Sequence, residues 1–134
     1  MLELLAPAGN LDAVIAAVQN GADAVYMGFG DGFNARRSAD NFTRESFAKA
    51  VRYCHIRGCK VYVTLNTLVG DREMEAAAAL AQQASDAGAD AILVQDLGLA
   101  RVLRDALPDI PLHASTQMSI NNLAGVEAAA EMGI

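Results

Sequence analysis

The sequence predicts an α/β fold, a partial TIM (β/α)8 barrel of about five β-α units on a parallel sheet, and three observations lead there. Short apolar runs recur along the chain, helical patterns with start and stop signals fill the intervals, and one helix-stop-strand unit is repeated. The runs are Leu2 to Ala6, Ala24 to Met27, Lys60 to Leu65, Ala91 to Val94 and Pro111 to Ala114. Most are continuously apolar rather than alternating, as parallel strands covered on both faces require.

Each interval reads as a helix. Asn10 supplies a side-chain oxygen for the free amides of the Leu11-Asp12-Ala13 turn, and that helix stops near Asn20-Gly21. Thr43 caps the second, where Phe47, Val51 and Cys54 recur at helical spacing and share one side. Asp71 is expected to open an Ala-rich third helix that runs to Ala87 before Gly88. The fourth spans about Leu97 to Leu107, ahead of Pro108, and the fifth starts near Asn121-Asn122 and ends before Gly133.

The repeat is Asn20-Gly21-Ala22-Asp23-Ala24-Val25, which returns as Ala87-Gly88-Ala89-Asp90-Ala91-Ile92. In both, glycine takes the left-handed position that ends a helix, aspartate makes the turn, and a strand follows. A third copy begins at Glu131-Met132-Gly133-Ile134. The expectation is therefore one domain over residues 1–134, the N-terminal part of a barrel truncated before strand six. A doubly wound nucleotide fold is disfavoured: Leu5-Ala6-Pro7-Ala8-Gly9-Asn10 lacks the glycine spacing of a dinucleotide turn, and Gly28-Phe29-Gly30-Asp31-Gly32 does not run into a helix start.

Composition narrows the class. A 53% hydrophobic content with 19% charged residues is that of an ordered globular chain. No apolar run approaches the roughly 18 residues of a membrane span, and the start lacks a basic leader region, so no membrane association and a cytoplasmic location are expected. Cys54 and Cys59 match no standard zinc or redox spacing and read as reduced, packed thiols. The net charge of −6 opposes general binding to nucleic acid. Yet Arg36, Arg37, Arg44, Lys49, Arg52, Arg57 and Lys60 crowd one quarter of the chain, either as solvated helix faces or as a sign of an anionic substrate.

In parallel α/β folds the site is built by loops leaving the C-terminal ends of strands. The polar residues there are Asn34 and Arg36 after strand two, Asn66 after strand three, Gln95 and Asp96 after strand four, and His113, Ser115 and Gln117 at strand five. Arg36 has the planar guanidinium suited to a carboxylate or phosphate, so Asn34, Arg36, Asn66, Ser115 and Gln117 are expected to bind substrate. His113, Asp96 and Gln95 are the catalytic candidates, His113 because it exchanges a proton near neutral pH. Asp96 reads equally as a helix cap, and a metal is not expected, since His113 has no paired ligand at metal spacing. His55 reads as a surface residue that offsets the end of its helix.

Taken together, Glu3-Leu4-Leu5-Ala6-Pro7-Ala8-Gly9-Asn10, Phe33-Asn34-Ala35-Arg36, Val61-Tyr62-Val63-Thr64-Leu65-Asn66-Thr67, Val94-Gln95-Asp96-Leu97-Gly98 and His113-Ala114-Ser115-Thr116-Gln117-Met118-Ser119 resemble, in order and spacing, the N-terminal half of peptidase family U32, the collagenase-like proteins. The resemblance implies a barrel enzyme acting as a peptidase on a peptide substrate. It equally implies relatives that hydroxylate RNA bases or quinone precursors, some with an iron–sulfur cluster and a prephenate requirement. The cysteine-rich signature of the family has no counterpart in these residues, so no cofactor is expected within them, and a cluster belongs to a full-length relative. Two other readings compete: a non-catalytic assembly module that self-associates through exposed barrel edges, which predicts a homo-oligomer, and a generic phosphate-binding barrel.

Overall fold

A computed structural model describes residues 2–35 and 41–134. Strands β1 (Leu5–Pro7), β2 (Ala24–Met27), β3 (Lys60–Leu65), β4 (Ala91–Val94) and β5 (Leu112–Ala114) alternate with helices α1 (Leu11–Gln19), α2 (Arg44–His55), α3 (Met74–Asp86), α4 (Leu97–Ala106) and α5 (Leu123–Glu131). The strands form one sheet in the order β1-β2-β3-β4-β5, every pair parallel. That order separates the two architectures left open by alternating elements. A doubly wound sheet reverses direction after its first strands, whereas a barrel adds each strand on the same side as the last.

Pleating divides each strand between two environments. Val25, Met27, Val61, Val63, Leu65, Ile92, Val94 and Leu112 face the helices and form the main core with Val14, Phe47, Val51, Cys54, Leu99 and Leu103. Helix α3 buries only Ala77, Ala81 and Ala84, small residues on one stripe. On the other sheet face, the barrel interior, Ala24, Tyr62 and Ala91 form a smaller cluster with Tyr26 and Leu93.

The repeat has a physical role in the sheet. Gly21 and Gly88 take φ of +87° and +100°, and the next amides, Ala22 N and Ala89 N, close back on Ala17 O and Ala84 O. The aspartate that follows reaches sideways to the preceding strand: Asp23 Oδ2 accepts from Leu4 N and Asp90 Oδ2 from Val61 N, both at 2.7 Å. Each copy thus ends a helix and clamps the bottom of the neighbouring strand. Gly133 has φ +80° and Ile134 N closes on Ala129 O, so the third copy makes the same helix stop.

Several boundaries differ from expectation. Strand β1 starts at Leu5 rather than Leu2, because pairing begins only where β2 offers a partner, Leu5 opposite Ala24. Asp71 does not open α3; Glu73 folds its carboxylate onto Gly70 N at 2.9 Å, making a separate turn, and the helix starts at Met74. Helix α5 starts where expected, with Asn122 capping it through Gly125 N. A 3-10 turn, Thr116–Met118, was not legible, since three residues leave no periodic signature. The caps Asn10, Thr43 and Asp96 are as expected. His55, the last residue of α2, is half-exposed and bonded through Nε2 to Asp90 at 2.8 Å.

Candidate active site

The C-terminal strand ends carry a connected set of neutral polar groups. Asn66 leaves β3 with both ends of its amide engaged: Oδ1 accepts from Ala35 N at 3.0 Å, and Nδ2 donates to Ser115 Oγ at 3.2 Å. It therefore ties the loop after β2 to the end of β5 across the mouth. Ser115, buried, also accepts from Gln117 N at 3.3 Å and so starts the 3-10 turn. Below this level Thr64 Oγ1 donates to Met27 O, so its hydroxyl serves the strand.

The loop after β2 is held by backbone and by amides. Phe42 N donates to Gly28 O and Gly30 N to Phe42 O, closing the loop base. Asn34 Nδ2 donates to Asn41 Oδ1 at 3.1 Å directly over Gly28, where a built Cβ meets both amide heads. Gly28 is required by that close approach rather than by its own backbone angles. Phe33, beside the pair, has φ +56°, a left-handed conformation uncommon for an aromatic residue.

Among the described residues three hollows open at this rim, one of about 450 Å³ lined by Asp31, Phe33, Asn34, Asn41, Thr67 and Glu73. A small one of about 60 Å³ lies among Pro7, Tyr26, Asn34, Asn41, Thr64 and Asn66. A wider one of about 630 Å³ lies among Gln95, Asp96, Gln117, Met118, Asn121 and Gly125. Of the expected site residues, Asn66 and Ser115 are bonded to each other, Asn34 shares the small hollow with Asn66, and Gln95, Asp96 and Gln117 share the wider one, Gln117 reaching Ser115 only through its backbone amide. Arg36 lies outside the described residues. Asp96 has both oxygens on backbone amides, Leu99 N at 2.8 Å and Val69 N at 3.4 Å, so its cap role is seen directly.

His113 stands one pleat below Ser115. Its ring meets Tyr62 edge to face, with centroids 4.9 Å apart, and Tyr62 Oη donates to Glu3 Oε1 at 2.7 Å while Lys60 Nζ contacts Glu3 Oε2 at 3.1 Å. Glu3 and Lys60 sit at the N-terminal strand ends, so this group occupies the interior toward the barrel floor. Burial pushes the His113 pKa down, partly opposed by Glu3. The Tyr62 bond holds the Glu3 carboxyl below the usual carboxylate range, and burial raises the Tyr62 hydroxyl. The grouping of Glu3, Lys60 and Tyr62 was not legible in the sequence. The one signal was a carboxylate in phase with Leu5 and Pro7 on the interior face of the first run.

The residues present do not fit an iron–sulfur cluster. Cluster ligands are thiolates, whereas Cys54 and Cys59 are buried and burial pushes the Cys54 thiol up to about 12. They lie where α2 gives way to β3, away from the rim, and among the described residues no three His, Cys, Asp or Glu side chains group as metal ligands. Any cluster would draw its thiolates from outside these 134 residues.

Five sequentially ordered parallel strands with polar groups gathered at their C-terminal ends define a (β/α)-barrel protein of the kind that carries its site at that rim. Within that class the chain belongs to peptidase family U32, whose family model matches residues 9–134. It is 41% identical, over 98% of its length, to the 23S rRNA 5-hydroxycytidine C2501 synthase of Escherichia coli, and 38% identical, again over 98%, to tRNA hydroxylation protein P1 of Bacillus subtilis. An uncharacterised protease of Methanocaldococcus jannaschii is 36% identical over 91% of the chain. The chain spans 19%, 31% and 29% of the lengths of these three relatives. Among solved structures, a U32 peptidase superposes with a TM-score of 0.76 at 15% identity, covering 99% of this chain and 56% of that one. A dihydrodipicolinate synthase from Cyanidioschyzon merolae superposes with a TM-score of 0.63, also at 15% identity, covering 98% and 52%. At such identities these structures bear on the fold alone. No helix among the described residues is long and apolar enough to cross a membrane.

Proposed function

We propose that this chain builds the substrate-binding half of an RNA-base-modifying barrel, a hydroxylase rather than a peptidase. The observation that carries the reading is the amide rim, in which Asn66 braces the mouth while Asn34 and Asn41 line the small hollow and Gln95 and Gln117 the wider one. A carboxamide presents a donor and an acceptor side by side, which matches the edge of a nucleobase splayed from its strand. The E. coli and B. subtilis relatives, whose names concern RNA hydroxylation, support the same substrate class.

Peptide hydrolysis is the second reading, favoured by the family and by the archaeal protease relative. Amides also suit a peptide backbone. Hydrolysis, however, needs an activated nucleophile or water, and the Ser115 hydroxyl is committed to Asn66 and Gln117 N. In the RNA reading the rim positions the base and the oxygen-insertion chemistry comes from the rest of the intact protein.

The test is nucleoside mass spectrometry of rRNA and tRNA from a strain lacking the gene. Loss of a nucleoside carrying one added oxygen is expected, with rescue by the wild-type gene and not by one encoding Gln117→Ala and Asn34→Ala. An unchanged nucleoside profile, with gelatin or peptide cleavage by the purified intact protein, would establish the peptidase reading instead.

A further inference from the structure

Charge is unevenly placed in this chain. Residues 36–60 hold seven of its ten cations against two acids, Asp40 and Glu45, within a protein of net charge −6. The structure shows where the described part of that excess goes. Arg44, Lys49 and Arg52 are all exposed on α2, outside the stripe Phe47, Ala50, Val51 and Cys54 that the helix buries, with the exposed Glu45 among them. At 100° per residue their side chains fall within about 140° of one another, and at 1.5 Å rise they cover roughly 12 Å of helix. Arg57 follows the helix end, its guanidinium 3.7 Å over the Tyr53 ring and donating to Tyr53 O.

The cations differ in how they are held. Arg44 donates to Gln83 on α3 at 3.2 Å, a neutral partner that orients it without cancelling its charge. Lys49 pairs with Glu45, both largely exposed, a contact worth little in water and readily exchanged for a phosphate. Arg52 has no carboxylate partner among the described residues. Solvation alone would be served by cations interleaved with acids, as on α4, where Arg101 faces Asp105. On α2 three cations stand against the single acid Glu45, and Arg44 is pre-oriented by Gln83.

We propose that the outer face of α2 is a docking surface for the phosphate backbone of a structured RNA, with Arg44, Lys49, Arg52 and Arg57 as its contacts. The inference rests on the RNA reading above and deepens it. A parallel β-α unit runs its helix back from the mouth to the floor, so Arg44 lies nearest the amide rim and Arg57 farthest from it. Backbone held along this wall leaves a base free to turn into the mouth, which divides the task as phosphate contacts that position and rim contacts that select.

The test measures binding of the intact protein to total tRNA and to a synthetic 20-base-pair RNA hairpin at 50 to 200 mM salt. For R44Q/K49Q/R52Q the expected result is weaker binding and a plot of log affinity against log salt shallower by about three units, and for R52Q alone by about one. R101Q on α4 is expected to match wild type. Circular dichroism establishes that the triple variant is folded, and R52Q provides the same reading from a single exposed change. If wild type binds RNA and the α2 variants bind it equally well, the docking surface is refuted while the RNA reading stands. An equal loss in R101Q also refutes it, as does binding to phosphatidylglycerol vesicles that depends on α2 when RNA binding does not. Absence of both RNA binding and RNA modification in wild type overturns the RNA reading itself.

Discussion

Replacing Asp90 by alanine tests whether the repeated aspartates are strand clamps. Asp90 Oδ2 accepts from Val61 N at 2.7 Å and from His55 Nε2 at 2.8 Å. Val61 is fully buried, so its amide, once abandoned, has no water to turn to. A charge-assisted hydrogen bond of this kind is worth about 1.5 to 3 kcal/mol. The His55 contact is half-exposed and adds less than about 1 kcal/mol. Asp90→Ala should therefore destabilise by about 2 to 3 kcal/mol. Asp90→Asn keeps an oxygen for Val61 N and should cost about 1 kcal/mol, the difference between a charged and a neutral acceptor. Asp23→Ala removes the homologous bond, but to Leu4, an exposed residue whose amide water can rescue, and should cost about 1 kcal/mol or less. Urea denaturation of the intact protein followed by tryptic cleavage at the Arg57 and Lys60 bonds ranks the three. An Asp23→Ala cost equal to that of Asp90→Ala, or an Asp90→Asn as damaging as the alanine, would refute the clamp.

Gly28→Ala should separate the Asn34–Asn41 amide pair, because the new methyl occupies the space of both heads; under the proposed RNA reading, modification by the intact protein is expected to fall at least about tenfold while thermal stability changes little, and unaltered activity would show that the pair is dispensable. Asn66→Ala should raise the exchange rate of the Ala35 amide about tenfold, as expected for loss of one hydrogen bond near 1.4 kcal/mol, measured by hydrogen exchange with mass spectrometry. His113 has its folded pKa below the ordinary 6.5, so the folded state prefers the neutral ring. That contribution to stability is complete above about 6.5 and is lost as pH falls through the lowered folded value. His113→Gln should therefore flatten the pH dependence of the denaturation midpoint on the acid side of 6.5, and an unchanged slope would place the ring in solvent.

Much of the fold was legible because its signals are local. Continuous apolar runs such as Val61 to Leu65 declare parallel strands, Asn10, Thr43 and Asp96 declare helix starts by their capping oxygens, and Gly21 and Gly88 declare stops by the left-handed backbone each adopts. The rim was legible in part, since every polar residue leaving a parallel strand reaches the same end of the sheet. Asn66 and Ser115 accordingly bond at that end, Asn34 shares a hollow with Asn66, and Gln117 lines a separate one.

Other features depended on distances between residues far apart in the chain. Alternating β-α order is common to open sheets and barrels, and only the pairing β1-β2-β3-β4-β5 distinguished them. The pleat set His113 against Tyr62 above Glu3, 59 residues away from Tyr62, because strand register decides which side chains share a layer. Where elements start and stop can be read along the chain, because caps, glycines and apolar runs act within a few residues. Tertiary structure alone decided that Asn66 spans the mouth and that the cations of α2 form one exposed wall, because both depend on which faces the packed core leaves outside.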